Sequence, residues 1–193
     1  MKSTVYLSIG LLLAFGSCKD NIQETPAAPQ AVAELLSLED LGEDTYLVTS
    51  DQKGRVSASQ QGNIVTLTIE LDGFPANTSH AIHLHNGSCE DPGTHWNQNS
   101  DQSFCSAESL GVLWRKSYAG DIGNISTDSN GHGYLSFSTD LWTLNSGLDS
   151  DILEKVMVIH ARAEDFGPEC YILTAHDHAS NTKIACGRIE LAE

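Results

Sequence analysis

The sequence is poor in basic residues. It contains 10 lysines and arginines against 26 aspartates and glutamates, which gives a formal net charge of −16 at pH 7. A chain with this balance repels the phosphate backbone of nucleic acids, so we predict no nucleic-acid partner. The acidic excess by itself indicates a well-solvated surface and no particular ligand.

Long apolar runs are also missing, apart from one near the start. Residues 5–15 are mostly apolar and follow Lys2, but this run is too short to cross a bilayer as a helix. It ends at Phe15-Gly16-Ser17-Cys18, which resembles the lipoprotein box of bacterial signal peptides. We therefore predict a lipoprotein signal peptide at residues 1–17, a lipid on Cys18 and attachment to a membrane of the bacterial cell envelope. An ordinary secretory peptide with an incidental cysteine is the alternative.

Cysteine is scarce and odd in number, with five residues in the chain. Lipidation of Cys18 would account for the odd one and leave four, namely Cys89, Cys105, Cys170 and Cys186. In an exported chain, an even set of cysteines predicts two disulfide bonds. The count alone does not decide how the four are paired.

The composition divides the chain after the signal peptide into two parts. Residues 18–43 are rich in Ala, Pro, Gln and Glu without a recognisable strand pattern, which predicts a tether, with a short helix at residues 31–41 as an option. Residues 44–193 form the predicted domain. Neither the membrane face nor the oligomeric state follows from the sequence.

Segments typical of β-strands dominate this domain. They fall at residues 45–49, 55–60, 64–71, 80–85, 124–127, 134–138, 156–161 and 184–191. Gln61-Gly62-Asn63 and Asp128-Ser129-Asn130-Gly131 predict hairpin turns between neighbouring segments. About eight strands with few helices indicate an all-β fold, either a closed antiparallel barrel or a sandwich. Two long irregular stretches, 86–120 and 164–183, are predicted to be either functional or disordered loops.

Four histidines form a candidate metal site. In a strand, alternation places His83 and His85 on one face and the intervening Leu84 on the other. Alone, this pair is weak evidence for a metal site and is better explained by two polar surface histidines. The case strengthens with His95 and with His160, which ends an apolar strand. Neutral imidazoles suit copper, and oxidised copper favours a near-planar set of nitrogens.

The chain from residue 54 onward resembles the copper/zinc superoxide dismutase family. The matching pieces, in order, are HAIHLH at 80–85, Cys89 with GTHWN at 93–97, GDIGN at 120–124, VIH at 158–160 with EDFG at 164–167, and KIACG at 183–187. The order and the spacing together make the resemblance specific.

The resemblance implies an eight-stranded antiparallel Greek-key β-barrel, an immunoglobulin-like sandwich. It implies copper ligation by His83, His85 and His160, and a place for His95 at the position that bridges copper to zinc and acts in turnover. His80 falls on a family histidine outside the metal shell that fixes the backbone of the active site. The implied disulfide joins Cys89 to Cys186, which leaves Cys105 and Cys170 to tie the two long loops together.

The zinc ligands of the family are only partly present. They would fall at His95, about Ser103, Tyr118 and Asp121, and of these only His95 and the remnant Asp121 can serve. We therefore expect no tetrahedral zinc site of the usual kind. A relocated zinc site built from His176, Asp177 and His178 is the alternative.

Two further positions depart from the family. Lys183 stands where the family has an arginine that guides superoxide; it keeps the charge but loses the planar fork of donors. Glu164 replaces an aspartate that hydrogen-bonds the outer nitrogens of metal ligands, and it could orient one imidazole.

The function implied is dismutation of superoxide to oxygen and hydrogen peroxide by a mononuclear copper site in the cell envelope. A copper-binding protein without useful dismutase activity, serving storage, delivery or protection, is the alternative. The replaced zinc ligands and Lys183 favour that alternative, because a retained fold does not guarantee a retained activity.

Overall fold

The computed structural model describes residues 30–97, 119–164 and 181–192. Over these residues the protein is all-β, and no helix capable of spanning a membrane is found among them. The strands are β1 (Gln30–Gly42), β2 (Thr45–Gln61), β3 (Ile64–Leu71), β4 (Ser79–His85), β5 (Asp121–Ser126), β6 (Gly133–Thr139), β7 (Val156–His160), β8 (Lys183–Arg188) and β9 (Glu190–Leu191).

The strands form one antiparallel sheet that curls into a nearly closed barrel. The strand order is β5-β4-β7-β8-β1-β2-β3-β6, and the short β9 pairs with β1. The two end strands, β5 and β6, meet at the bridge between Thr127 and Gly133. Connections from β3 to β4 and from β6 to β7 join strands that are not neighbours, as in a Greek key. The predicted eight-stranded antiparallel barrel is confirmed.

The first strand corrects the sequence prediction for residues 18–43. From Gln30 onward this segment is neither a tether nor a helix, because it pairs with β2, β8 and β9. Its alternate residues Ala31, Ala33 and Leu35 are buried in the barrel core. Two of these three are alanines, so the inward-facing pattern is weak in hydrophobicity and resembles the composition of a linker.

The second strand merges two segments that the sequence predicts as separate. Residues 45–49 and 55–60 both lie in β2, and the interruption between them is a register irregularity against β1 near Gly54. Gly54 has φ 147°, and a Cβ there would lie 2.1 Å from the carbonyl oxygen of Glu70 on β3. Only glycine allows this close approach of the two strands.

Both predicted turns are present. Gly62 and Asn63 connect β2 to β3 in register, with Gln61 opposite Ile64. In the turn between β5 and β6, the carboxylate of Asp128 accepts a hydrogen bond from the backbone N–H of Asn130 at 2.8 Å. This turn brings the two ends of the sheet together and thereby closes the barrel.

A disulfide joins Cys89, in the loop after β4, to Cys186 on β8, as the resemblance implies. Cys186 packs in a small second cluster of buried residues outside the main core, which includes Leu38 and Tyr46 from the β1–β2 hairpin. The backbone N–H of Tyr46 also donates to the carbonyl of Glu90, 2.9 Å away. The end of this long hairpin is therefore fastened to the disulfide loop.

Candidate metal centre

The four predicted histidines lie together. His83, His85, His95 and His160 each offer a ring nitrogen, and these four nitrogens all lie within 4.8 Å of one another. Strand β4 supplies the first two, β7 ends at His160, and His95 is held beside His85 by an isolated antiparallel bridge. Residues far apart in the sequence are thus brought to one point on the outside of the barrel wall.

Strand alternation explains the position of the first pair. Ile82 and Leu84 point into the main core of the barrel, which leaves His83 and His85 on the opposite face. Pairing with β7 places His83 opposite Val158, so the end of β7 and its His160 come alongside. The backbone hydrogen bond from the N–H of Trp96 to the carbonyl of Leu84, at 2.7 Å, brings the segment with His95 onto β4.

Each histidine has one ring nitrogen that faces away from the shared centre, and each of these outer nitrogens is hydrogen-bonded to an acceptor. The outer nitrogens of His83 and His95 donate to carboxylates, and those of His85 and His160 donate to backbone carbonyls. The four bonds are His83 Nε2 to Glu164 at 2.7 Å, His95 Nδ1 to Asp121 at 2.8 Å, His85 Nδ1 to the carbonyl of Gly93 at 3.0 Å and His160 Nδ1 to the carbonyl of Asn181 at 2.8 Å. These bonds leave the other ring nitrogen of each histidine facing the shared centre, where Nδ1 of His83 and Nε2 of His160 lie 3.0 Å apart.

His85 provides the most direct test of whether this cluster fits a metal ion. Its Nε2 is buried and has no hydrogen-bond partner among the described residues. Burial, and next the proximity of His95, lower the pKa of His85 well below its ordinary value, so the ring is neutral. A buried lone pair without a donor is costly unless a ligand meets it. The four residues therefore fit a metal that takes nitrogen ligands.

The two residues that the sequence assigns to the remnant of the zinc site contact each other directly. The Asp121 side chain is 3% exposed and its Oδ1 accepts the proton on Nδ1 of His95. Asp121 begins β5, opposite His83 in the β4–β5 pairing. The outer nitrogen of His95 is therefore occupied by a carboxylate in this structure.

Glu164 contacts His83 as the sequence suggests for a residue that orients a ligand. Its backbone is fixed by the side-chain amide of Asn124, which donates to the carbonyl of Glu164 at 2.9 Å and accepts from its N–H at 2.8 Å. Burial, and next the negative charge of Asp121, raise the pKa of Glu164 to about 7, while His95 acts in the opposite direction. The two hydrogen bonds with Asn124 therefore fix the backbone of Glu164, from which its carboxyl group reaches Nε2 of His83.

His80 lies outside the four-histidine cluster. Its Nδ1 donates to the carbonyl oxygen of His160 at 2.8 Å, and its Nε2 lies 2.7 Å from the hydroxyl of Thr78. The ring also packs edge-on against Phe74. His80 is thus placed to fix the backbone at the end of β7, the role implied for it.

Lys183 is next to the cluster but is already paired. It lies opposite His160 in the β7–β8 pairing, and its side chain is 4% exposed. Its ammonium forms an ion pair with Asp44 and lies 5.3 Å from the ring centroid of Tyr46. The predicted superoxide-guiding cation therefore has a carboxylate against it in this structure.

Sequence reasoning missed three groups at this site. Gly93 and Asn181 act through backbone carbonyls, which carry no signature in the side-chain pattern. Asp44 lies 139 residues from Lys183 in the chain, and the weak strand pattern before it concealed the hairpin that carries it. Other predicted residues lie outside the described part of the chain: Cys18, Ser103, Cys105, Tyr118, Cys170, His176, Asp177 and His178.

The fold and the cluster together define a β-barrel protein with a candidate metal centre of four histidines. Residues 52–189 match the family described as copper/zinc superoxide dismutase. A copper-zinc superoxide dismutase of Candida albicans is 30% identical over 157 residues, which cover 76% of this chain and 96% of that protein. One from Debaryomyces hansenii is 29% identical over 141 residues, covering 70% and 86%. The chain belongs to the copper/zinc superoxide dismutase family.

A solved structure agrees on the fold. A mutant of a SOD-like protein from Bacillus subtilis superposes with a TM-score of 0.57 at 18% identity, covering 81% of this chain and 95% of that one. At this identity the likeness concerns the fold alone. It confirms the Greek-key β-barrel that the resemblance implies.

Proposed function

We propose that this protein is a superoxide dismutase of the cell envelope that uses a single copper ion and no zinc. The observation that carries the proposal is the convergence of four imidazoles, with the buried Nε2 of His85 lacking any partner among the described residues. Family membership supports the activity, since residues 52–189 match superoxide dismutases.

The donor set favours copper. Imidazole nitrogens without carboxylate or thiolate ligands suit a copper ion, and His83, His85, His95 and His160 would hold it. Bound copper supplies the one-electron chemistry by which superoxide is converted to oxygen and hydrogen peroxide. The protein contributes the orientation of the rings, because each outer nitrogen is fixed by a hydrogen bond to a carboxylate or a carbonyl.

The absence of zinc is proposed from the sequence, because of the four family positions for zinc ligands only His95 and Asp121 hold a suitable side chain. In the structure these two residues contact each other, with Nδ1 of His95 donating to Asp121. The buried carboxylate of Asp121, 2.8 Å from Nδ1, would hold the ring of His95 in one orientation.

The location is proposed from the sequence. The segment that resembles a lipoprotein signal ends at Cys18, and the barrel begins by Gln30. A lipid on Cys18 would hold the domain close to a membrane of the envelope. Intact mass of the native protein tests this, and an unmodified Cys18 would remove the lipid anchor from the proposal.

A copper-binding protein without dismutase activity is the second candidate. The ion pair between Asp44 and Lys183 favours it, since a neutralised lysine attracts an anionic substrate less than a free one. Copper storage, delivery or protection requires the four histidines but not this cation.

One experiment separates the two candidates. The full-length protein with intact disulfides is stripped of zinc and loaded with one copper equivalent, and dismutation is compared with that of free copper. The His160→Ala variant removes a ligand, while His132→Ala removes an exposed histidine that pairs with Asp72. Turnover that is lost only in His160→Ala supports the enzyme. Tight copper binding without turnover supports the binding protein. A stoichiometric zinc content of the protein as isolated, measured before zinc is stripped, overturns the zinc-free site.

A further inference from the structure

The β1–β2 hairpin carries a charge to the edge of the metal centre. Its turn contains Asp44, whose side chain is 44% exposed, whereas its partner Lys183 is 4% exposed. Solvent therefore reaches the carboxylate and hardly reaches the ammonium. An anion that approaches from solvent meets the negative member of the pair first.

The carboxylate of Asp44 is held in place from a second side. The hydroxyl of Tyr46 donates to Asp44 Oδ1 at 3.1 Å, and the Tyr46 ring lies beside the Lys183 ammonium. The backbone N–H of Tyr46 is bonded to Glu90 in the disulfide loop. The pair is thus built into the packing of the hairpin and is more than a mobile surface contact.

Lys183 is close enough to the centre for its charge to matter there. It is the cross-strand neighbour of His160, and paired residues of antiparallel strands present their side chains on the same face. Its charge is also among the causes that lower the pKa of His85. A cation at this place attracts an anion to the centre, and a carboxylate against it cancels much of that attraction.

We propose that Asp44 limits the access of small monoanions to the metal centre by neutralising Lys183. The proposal rests on the proposed function, and it adds a residue that sets affinity for the substrate class. Asp44 touches neither a metal ligand nor the reacting atoms, so it acts as a positioning residue through Lys183. Superoxide is one such anion, and azide is a stable one whose binding can be measured.

The variant Asp44→Asn tests the proposal with little disturbance of the backbone. Asp44 has φ 60°, and asparagine is one of the few residues that accept this left-handed conformation. The matched control is Glu43→Gln, because Glu43 precedes Asp44, has φ 54°, is exposed and loses the same charge. A melting curve of each variant checks that the barrel is intact.

Azide is titrated into the copper-loaded full-length protein and followed by the absorbance change at the metal. We expect Asp44→Asn to tighten azide binding and to raise kcat/KM for superoxide, each on the order of tenfold, and Glu43→Gln to change both by less than about twofold. In a Lys183→Gln background, Asp44→Asn should have no effect on azide, since the cation that it unmasks is gone.

Several results would overturn the proposal. Equal effects of Asp44→Asn and Glu43→Gln on azide binding would indicate that the negative charge of the whole surface, and not the ion pair, controls the approach of anions. An effect of Asp44→Asn that persists without Lys183 would exclude the ion pair as its cause. A wild-type chain that binds copper and azide without dismutating superoxide would reject the enzyme but not this inference, because the azide measurement still decides it. A wild-type chain that binds no copper would reject both.

Discussion

The hydrogen bond between His95 and Asp121 should decide how tightly the protein holds copper. Replacing Asp121 by leucine removes the acceptor and keeps a side chain of similar size. The bond is 2.8 Å long and its carboxylate is 3% exposed, so water cannot easily replace it. A hydrogen bond to a charged group contributes about 1.5–3 kcal/mol. Because about 1.4 kcal/mol corresponds to tenfold in an equilibrium constant, we expect copper affinity to fall by about 10- to 100-fold.

The assay is competition for copper between the protein and a chelator of known affinity. Asp121→Asn provides a graded comparison, since asparagine keeps an acceptor oxygen for Nδ1 of His95 but loses the charge. It should weaken binding less than Asp121→Leu. Asp149→Asn removes an exposed aspartate from the loop before β7 and serves as the control. If Asp121→Leu changes copper affinity by less than about twofold, Asp121 does not orient His95, and the zinc-free interpretation of this residue fails.

Three further changes test other parts of the structure. Above pH 7, where Glu164 is ionised, Glu164→Gln should weaken copper binding by about tenfold, because an amide oxygen is a weaker acceptor for Nε2 of His83 than a carboxylate; chelator competition at pH 8 measures this, and unchanged affinity would remove the role. Asp151 accepts four backbone N–H bonds at 2.6–3.1 Å, and these together outweigh burial and lower its pKa below the ordinary 3.8. The Asp151 carboxylate therefore contributes fully to the free energy of unfolding when the pH is above its pKa in the unfolded chain. This contribution is lost as the pH falls through its lower pKa in the folded protein. Asp151→Asn should lower stability by about 1–2 kcal/mol near pH 7 and by much less near pH 2, as urea unfolding at the two pH values would show; an equal loss at both would contradict this. Gly54→Ala should cost at least about 2 kcal/mol, since its Cβ would lie 2.1 Å from the carbonyl oxygen of Glu70; a melting temperature equal to that of Gly62→Ala, where the Cβ meets nothing within 4 Å, would refute the steric argument.

The sequence is most informative where side chains repeat with the period of a strand. His83 and His85 are predicted on one face of β4 because alternation requires it, and the structure has them there. His160 follows an uninterrupted apolar strand, which fixes its position at the end of β7. The strand pattern of the sequence therefore predicts the positions of His83, His85 and His160.

Other features escape the sequence for physical reasons. The inward face of β1 begins with Ala31 and Ala33, which bury little apolar area and leave a weak periodic signal. The carbonyl of Asn181 accepts a hydrogen bond from His160, but every residue has a backbone carbonyl, so the sequence does not distinguish this one. The pairing of Asp44 with Lys183 depends on the length and register of a hairpin, which composition does not encode.

In the proposed function, metal binding and turnover depend on different parts of the protein. Binding needs the four rings and the acceptors on their outer nitrogens, all of which lie within the described residues. Turnover of an anion also needs a favourable charge near the centre, where Asp121 and Glu164 are acidic and Lys183 is neutralised by Asp44. If both arguments hold, Asp44→Asn should change azide affinity and leave copper affinity within about twofold, whereas Asp121→Leu should weaken copper itself. A variant that changed both constants together would show that the hairpin and the ring orientation are coupled.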